Sequence, residues 1–487
     1  MTMGVLLALL LASETVLVVP FVPRGDAPPA AGIAVAEAIV DVLVQANRDD
    51  FLTLKQLDAV LRRRDLRLDD AAVAARALEL ARPLGASDVV TGEVWLEEGQ
   101  WRIAARRTKV AEAKAVVEAK EEGPRSAFPA LAHKIGVDLF GAPHLALGPL
   151  TGSAAALEQA ALCWKHLARQ SLGAHARITL QPDHLAAAER ACRAALQADP
   201  RLGLARAGLA VTLAARGKFA LARKQARRAQ ARRFVPLAVL AESFAAWKMR
   251  DAAGWRAVLE AAVIARRGFL HALGYLAEDR MEQGDDEAAL AIFDRYLQLS
   301  PNHPWAMGKK GRQLARVGKM DEAIEISEKA LGLDPGNPEL LIETASRYID
   351  AGRDAKALPL LEQALKASPP RPTAALRLGY VYLRSGNLPL ARQALEQCLQ
   401  LATREDEART RGIAHADLAI LSAREEQYAE TVTELQKARG EGNNHLPCEE
   451  PELRRWKERP ELREVCVAAE AALANTAKDE DPVPVEL

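Results

Sequence analysis

The spacing of apolar residues changes character about a third of the way along the chain. Residues 15–21 (TVLVVPF) form a largely β-branched run, which predicts a fully buried strand. Turn residues follow at 24–31. Then Ile33, Ala36, Ile39, Val40, Leu43 and Val44 recur at helical spacing over 32–47. Residues 51–54 read as a short strand, and 56–64 and 70–84 as helices. Two strands at 88–96 and 101–109 flank Glu97-Glu98-Gly99-Gln100, a hairpin signal. A third strand at 115–119 and a helix at 126–140 complete a mixture that predicts a small independent α/β domain over 15–141. Pro143, Gly148 and Pro149 mark 142–152 as a linker. From 153 onward the pattern is helical only, and 153–173 places Leu157, Ala160, Leu162, Trp164 and Leu167 on a core face.

The helical part repeats. Ala323, Ala357 and Ala391 lie 34 residues apart. Each has a glycine five positions before it (Gly318, Gly352, Gly386) and a small residue seven after (Ala330, Ala364, Cys398). Pro335 and Pro369 follow the first two units. A fixed period of this length signals a helix–turn–helix solenoid, whose units bury their apolar faces only by stacking. The alanines suit close helix crossings, the glycines a left-handed residue that ends the first helix, and the prolines the end of the second. Ala188, Ala195 and Pro200, then Gly217, Ala222 and Ala229, fit the same scheme. The step from Ala222 to Ala289 is 67 residues, so a degenerate unit falls near 237–269. Further units begin at Leu270, Pro304, Pro338 and Pro372, and another, 412–442, is displaced by an insertion at 402–411. The expected fold is mainly α: a small α/β N-terminal domain, a helical solenoid over 153–442, a capping helix within 443–474 and a disordered tail over 475–487.

Composition adds exclusions. The 487 residues carry 65 Lys+Arg against 65 Asp+Glu, so no global charge points to nucleic acid or to a membrane. Five cysteines without CxxC spacing exclude a zinc ribbon or a dithiol redox motif. Residues 4–12 (GVLLALLLA) have the length of an export-signal core and are too short to span a bilayer. Residues 1–14 therefore read as a signal peptide, against the alternative of a buried strand or frayed terminus, and the protein is not expected to be integral to a membrane. Export predicts the periplasm or cell envelope; otherwise the location is cytoplasmic.

The N-terminal stretch LGASDVVTGEVWLEEGQWRIAARR, with Pro20, Phe21, Leu84, Gly85, Ala86, Val89, Gly92 and Gly99, resembles the N-terminal domain of TolB-like proteins. Those often carry LGADYVLEGSVRRDGDRLRV at this place. The turn after the second hairpin strand departs from that family, reading Val110-Ala111-Glu112-Ala113-Lys114. The segment ALQADPRLGLARAGLAVTLAARGKFALARKQA resembles a tetratricopeptide (TPR) repeat junction, a pairing common in TolB-like proteins. These resemblances imply a binding protein of the bacterial envelope with no catalytic residues and no cofactor.

They also imply a partner groove on the first helix of each unit, here Glu278, Glu282, Arg312, Arg316, Ser346, Asp350, Tyr380 and Arg384. The mixed signs suit a mixed or partly apolar protein segment, and an ordinary solvated face fits equally. A second candidate is the basic run Arg223, Lys224, Arg227, Arg228 and Arg232, within a span free of acidic residues. Lys224, Arg228 and Arg232 fall at i, i+4 spacing. This run reads either as an anion-binding patch or as a solvated outer face. No interleaved aromatics support nucleic acid. Cys448 and Cys466 flank a short helical segment and could pair in an oxidising compartment. Cys163, Cys192 and Cys398 read as core residues. The histidines and carboxylates form no metal or acid–base motif. The expected function is a protein–protein interaction scaffold; the alternative is a regulatory module acting with a separate effector chain.

Overall fold

The computed structural model describes residues 15–46, 51–52, 71–142, 148–168, 182–266, 269–367, 370–404 and 407–479, with isolated residues between 57 and 66. The expected leader 1–14, most of the helix expected at 56–64, and residues 480–487 lie outside the described residues. Two compact units divide the chain, one up to Met307 and one from Gly308 onward.

The first unit opens with a sheet of order β3-β1-β4-β5-β6. β1 (Val16–Val18) and β3 (Phe51–Leu52) run parallel. β4 (Asp88–Glu97) is long enough to take β1 along its first residues and β2 (Val22–Gly25) along its later ones, both parallel. The turn expected at 24–31 therefore begins two residues later, at Asp26, because Arg24 and Gly25 still pair with Trp95 and Leu96. β5 (Gln100–Lys109) returns antiparallel. The hairpin needs two left-handed residues, and Glu98 (φ 50°) and Gly99 (φ 77°) supply them. β6 (Lys114–Pro124) is eleven residues long, more than double the predicted strand. Its Lys and Glu side chains alternate outward on a sheet edge, where charge blunts association and masks the apolar pattern.

Two helices, α1 (Ala31–Gln45) and α4 (Phe128–Phe140), cover the sheet. Trp101 of β5 is fully buried and stacks on Phe128 at 4.2 Å between ring centres. The helix expected over 70–84 is divided into α2 (Ala71–Ala75), α3 (Ala77–Ala81) and a single 3-10 turn.

One buried core takes in residues from Val16 to Ala245, on both sides of the connection at 142–152. It takes in α5 (Ala154–Ala168), α6 (Pro182–Ala198), α7 (Gly203–Ala215), α8 (Phe219–Ala229) and α9 (Pro236–Lys248). Polar ties reinforce it. Arg233, between α8 and α9, donates from Nη1 to Asp41 Oδ2 of α1 at 2.6 Å. Thr15 Oγ1 donates to Leu299 O at 3.3 Å. The unit continues through α10 (Ala252–Ala265), α11 (Leu270–Glu282) and α12 (Asp286–Leu299). α13 (Pro304–Arg316) starts at its end.

The second unit holds α14 (Met320–Leu333), α15 (Pro338–Asp350), α16 (Asp354–Leu365), α17 (Pro372–Arg384), α18 (Leu388–Leu401), α19 (Ala408–Arg424) and α20 (Tyr428–Gly440). α21 (Pro451–Arg454) and α22 (Pro460–Asp479) close it. α22 extends into the segment expected to be a disordered tail, as far as Asp479.

The repeat positions behave as their chemistry requires. Ala222, Ala289, Ala323, Ala357 and Ala391 are all fully buried. Gly217, Gly284, Gly318, Gly352 and Gly386 all have positive φ, two residues past a first helix. At the same place the degenerate unit has Arg250 (φ 56°) and the displaced unit Glu426 (φ 64°). These two units escape the glycine pattern because a side chain tolerates the strained conformation there. Arg250→Gly is expected to stabilise the protein by about 1 kcal/mol, read from its denaturation midpoint.

One expectation about the cysteines is corrected. Cys163 and Cys192 do lie in the core, but as a disulfide joining α5 to α6. A Cβ on Gly208 would stand 2.6 Å from Cys192 Sγ and 2.9 Å from Cys163 Sγ, so α7 crosses directly over the bridge. Cys448 and Cys466 form a second bridge, from the loop before α21 to α22. Cys398 is free and buried. Burial first, then the charges of Asp417 and Glu407, pushes its thiol up to about 12. Iodoacetamide at pH 8 should therefore leave the native protein unlabelled. After denaturation without reductant it should add one group per chain, by mass; five groups would show both bridges absent.

Candidate functional site

Helical geometry sets one face of each first helix in rows. In α13 the row is Lys309, Arg312 and Arg316; in α15, Glu343, Ser346 and Asp350; in α17, Arg377, Tyr380 and Arg384. After the insertion the step is 40 residues, giving Asp417, Ile420 and Arg424 in α19. The rows thus change sign from helix to helix.

The structure sorts the expected groove residues. Arg312, Arg316, Asp350, Tyr380 and Arg384 are exposed on this face. Ser346 is not: it is 5 % exposed, so its assignment to an open groove is corrected. Packing of α15 against its neighbours buries six consecutive positions, 344–349, and a small hydroxyl fits there. Glu278 and Glu282 lie on α11 of the first unit, half-buried and exposed respectively.

Several cations of the row are structural. The Arg384 guanidinium donates to Ile349 O, at the end of the preceding first helix, and pairs with Asp354. Arg424 makes the same contact to Leu383 O, and Arg455 to Ala423 O. Each of these carbonyls also accepts from the backbone N–H three residues on, so the guanidinium adds a second bond at a helix C-terminus, where a cation is favoured. Asp350 is likewise engaged by Arg347 Nη2 at 3.1 Å. Tyr380, 39 % exposed, stays presented one turn on from Arg377.

Arg377 and Asp417 were missed in the sequence. Arg377 precedes Tyr380 by three and Arg384 by seven, which is one helical face and a usable signal. Asp417 was hidden by the insertion. Burial, opposed by the charge of Arg377, pushes the Asp417 carboxyl up to about 7. The folded state therefore holds a proton that the unfolded chain releases near pH 4, and stability falls as pH rises from there through 7. Asp417→Asn should remove that slope and gain about 2 kcal/mol at pH 8, measured by urea unfolding across pH.

The basic run divides in two. Arg223 pairs with Asp251 at 2.6 Å and Arg227 with Glu242 at 2.6 Å. Lys224, Arg228 and Arg232 are exposed with no carboxylate partner among the described residues. α8 ends at Ala229, so Arg232 stands in the turn beyond and not on the expected helix face.

Residues 276–338 and 348–410 match family models of the tetratricopeptide repeat. These segments are TPR repeats, and they lie within a TPR-like helical solenoid. No curated protein sequence matches the chain. Among solved structures, a TPR protein from Parabacteroides merdae is 12% identical, covering 59% of this chain and 93% of its own, with a TM-score of 0.32. MamA from Desulfovibrio magneticus is 19% identical over 36% of this chain and 96% of its own, with a TM-score of 0.30. The Cut9–Hcn1 tetramer of APC/C is 15% identical over 65% of this chain and 62% of that one, with a TM-score of 0.41. The repeat models and the helix pairs carry the TPR assignment; these likenesses do not. TPR arrays characteristically bind proteins or peptides. Among the described residues no three His, Cys, Asp or Glu side chains are grouped to hold a metal, and no helix is long and apolar enough to cross a membrane.

Proposed function

We propose that this protein is a non-catalytic scaffold of the bacterial cell envelope that takes a segment of a partner protein on the first-helix face of its TPR units. The observation that carries this reading is Tyr380, an exposed aromatic among alternating basic and acidic rows. Aromatic and arginine side chains are the usual anchors of protein recognition, and sign alternation selects a partner of matching register. Arg384 lies 5.7 Å from the Tyr380 ring centre and holds that ring from one side. The envelope assignment draws on the TolB-like resemblance of the sheet, on the leader-like residues 1–14 and on the two disulfides, a bond that persists in oxidising compartments.

Affinity capture from an envelope fraction tests the reading. Proteins retained by the wild type should be lost with Tyr380→Ala combined with Arg377→Glu; equal recovery would overturn the groove. The N-terminal mass tests location. A chain beginning near Ser13 supports export, whereas intact Met1 in the cytosol removes it.

A further inference from the structure

The outer helix of the degenerate unit presents an unusual surface. α10 exposes Ala253, Ala257, Glu260, Ala261, Ile264 and Ala265. The corresponding helix α14 exposes Asp321, Glu322, Glu325, Glu328 and Lys329, an ordinary solvated face. Ile264 is 82 % exposed. It falls three residues after Ala261 and seven after Ala257, so the three share one face. An isoleucine held in water beside alanines forms an apolar shelf with no cover among the described residues.

A cleft of about 300 Å³ opens beside this shelf, lined by α8, by Phe234 of the turn after it, by Val239 and Glu242 of α9 and by α10. Ala257, Val258 and Ala261 of α10 and the Phe234 ring supply its apolar lining. Arg223, Arg227 and Glu242 contribute the polar lining. Gly254 leaves room for the Arg223–Asp251 pair at one end of the cleft: a Cβ there would lie 2.1 Å from Asp251 Oδ2 and 2.5 Å from Arg223 Nη2. Arg223 Nε is buried and makes no hydrogen bond. One position on from the lining arginines stand Lys224 and Arg228, with Arg232 beyond the helix end. Internal carboxylates take up Arg223 and Arg227, while these three cations face solvent unpaired among the described residues.

We propose that this cleft and shelf dock an acidic amphipathic segment of a partner protein. An apolar side chain of that segment enters the cleft over Ala257 and Ala261, and its carboxylates meet Lys224, Arg228 and Arg232. Charge complementarity selects the occupant: Lys224, Arg228 and Arg232 have no carboxylate partner among the described residues, whereas Glu260 of the shelf is paired with Arg280, so an anionic segment gains most. The recess selects a peptide over a bilayer, because a flat surface reaches Ile264 but leaves the cleft unfilled. The alanine wall allows the close approach that an incoming helix needs. This surface lies in the first unit and shares no residue with the Tyr380 face, so either can fail without the other.

Selection from a displayed library of peptides of about 16 residues on the full-length protein tests it, with the Ala257→Arg/Ala261→Arg variant as soluble competitor. Both positions are exposed, and circular dichroism verifies that the variant folds. The enriched peptides should be acidic with apolar residues at i, i+4. Their affinity should fall at least about tenfold for that variant and for Lys224→Glu/Arg228→Glu/Arg232→Glu, and should weaken with salt. Failure to enrich such peptides, or equal binding to either variant, overturns the proposal. Sedimentation with phosphatidylcholine–phosphatidylglycerol vesicles that is lost in Ile264→Asp would overturn it in favour of a membrane surface.

Discussion

Arg233→Ala is expected to cost about 3–5 kcal/mol and to loosen the sheet from the TPR helices of the first unit, because it leaves Asp41 buried without its cation. Asp41 is 7 % exposed. Its carboxylate accepts from Arg233 at 2.6 Å and from Gln45 Nε2 at 2.5 Å. Arg233 also reaches Pro149 O at 3.5 Å, which ties in the connecting segment. Burial raises the Asp41 carboxyl above its ordinary value, and the Arg233 charge and hydrogen bond are the main forces opposing this. Without Arg233 the carboxyl rises further. A raised folded-state value means the folded form holds the proton more tightly, so the variant's loss should grow as pH rises. The neighbouring groups act on the same balance. Glu37 is pushed up to about 7 by burial and then by the charge of Asp41, and burial lowers His133. The double variant Arg233→Ala/Asp41→Asn should recover most of the loss, since it removes the stranded charge. A urea-unfolding cycle of the four proteins at pH 8 decides this. An Arg233→Ala cost below about 1 kcal/mol, the level of an exposed pair, would mean that the tie is solvated.

This contact illustrates what the amino-acid pattern could and could not disclose. The TPR units were legible because their signals are local. Ala323 and Gly318 report a crossing and a turn within a few residues of themselves, and the period repeats the message. The hairpin at Glu98-Gly99 was legible for the same reason. The seating of the sheet was not: Asp41 and Arg233 are 192 residues apart in sequence, and neither sits in a periodic pattern. The Cys163–Cys192 bridge was obscured because its residues occupy ordinary core positions of α5 and α6. On the partner face, spacing located the row but not its engagement. Arg384 and Tyr380 look alike as exposed polar positions, yet one covers Ile349 O and the other is presented. Only the neighbouring repeat decides between those roles, and the insertion displaced that neighbour by six residues from the period.

Gly85→Ala should be the most damaging single substitution at the junction of sheet and repeats. Gly85 has φ 68°, so any side chain incurs left-handed strain of about 1–2 kcal/mol. Its Cβ would also stand 2.4 Å from Asn302 O, 2.6 Å from Asn302 C and 2.7 Å from His303 N, all backbone atoms. That turn between α12 and α13 has little room to yield. Ser300 is fully buried, His303 N donates to Ser300 O at 3.2 Å, and the Tyr296 hydroxyl lies 3.4 Å from His303 Nε2. Burial lowers the His303 imidazole to about 4, so it is neutral at physiological pH and its ring packs as an apolar body between Tyr296 and Trp305. Relief of the clash therefore requires the sheet to move off the turn, breaking the Thr15–Leu299 bond with it. The expected loss is at least about 3 kcal/mol, the strain plus the overpacking. Gly99→Ala provides the control. Gly99 has φ 77° but open space around its Cβ, so it should lose only the strain, about 1–2 kcal/mol. The difference between the two variants in denaturation midpoint measures the junction alone. Equal losses would show that the sheet does not rest on the Asn302 turn in solution. A larger loss for Gly85→Ala, with fast hydrogen exchange appearing at β1 and in the 300–303 turn together, would establish that the sheet and the first TPR units unfold as one body.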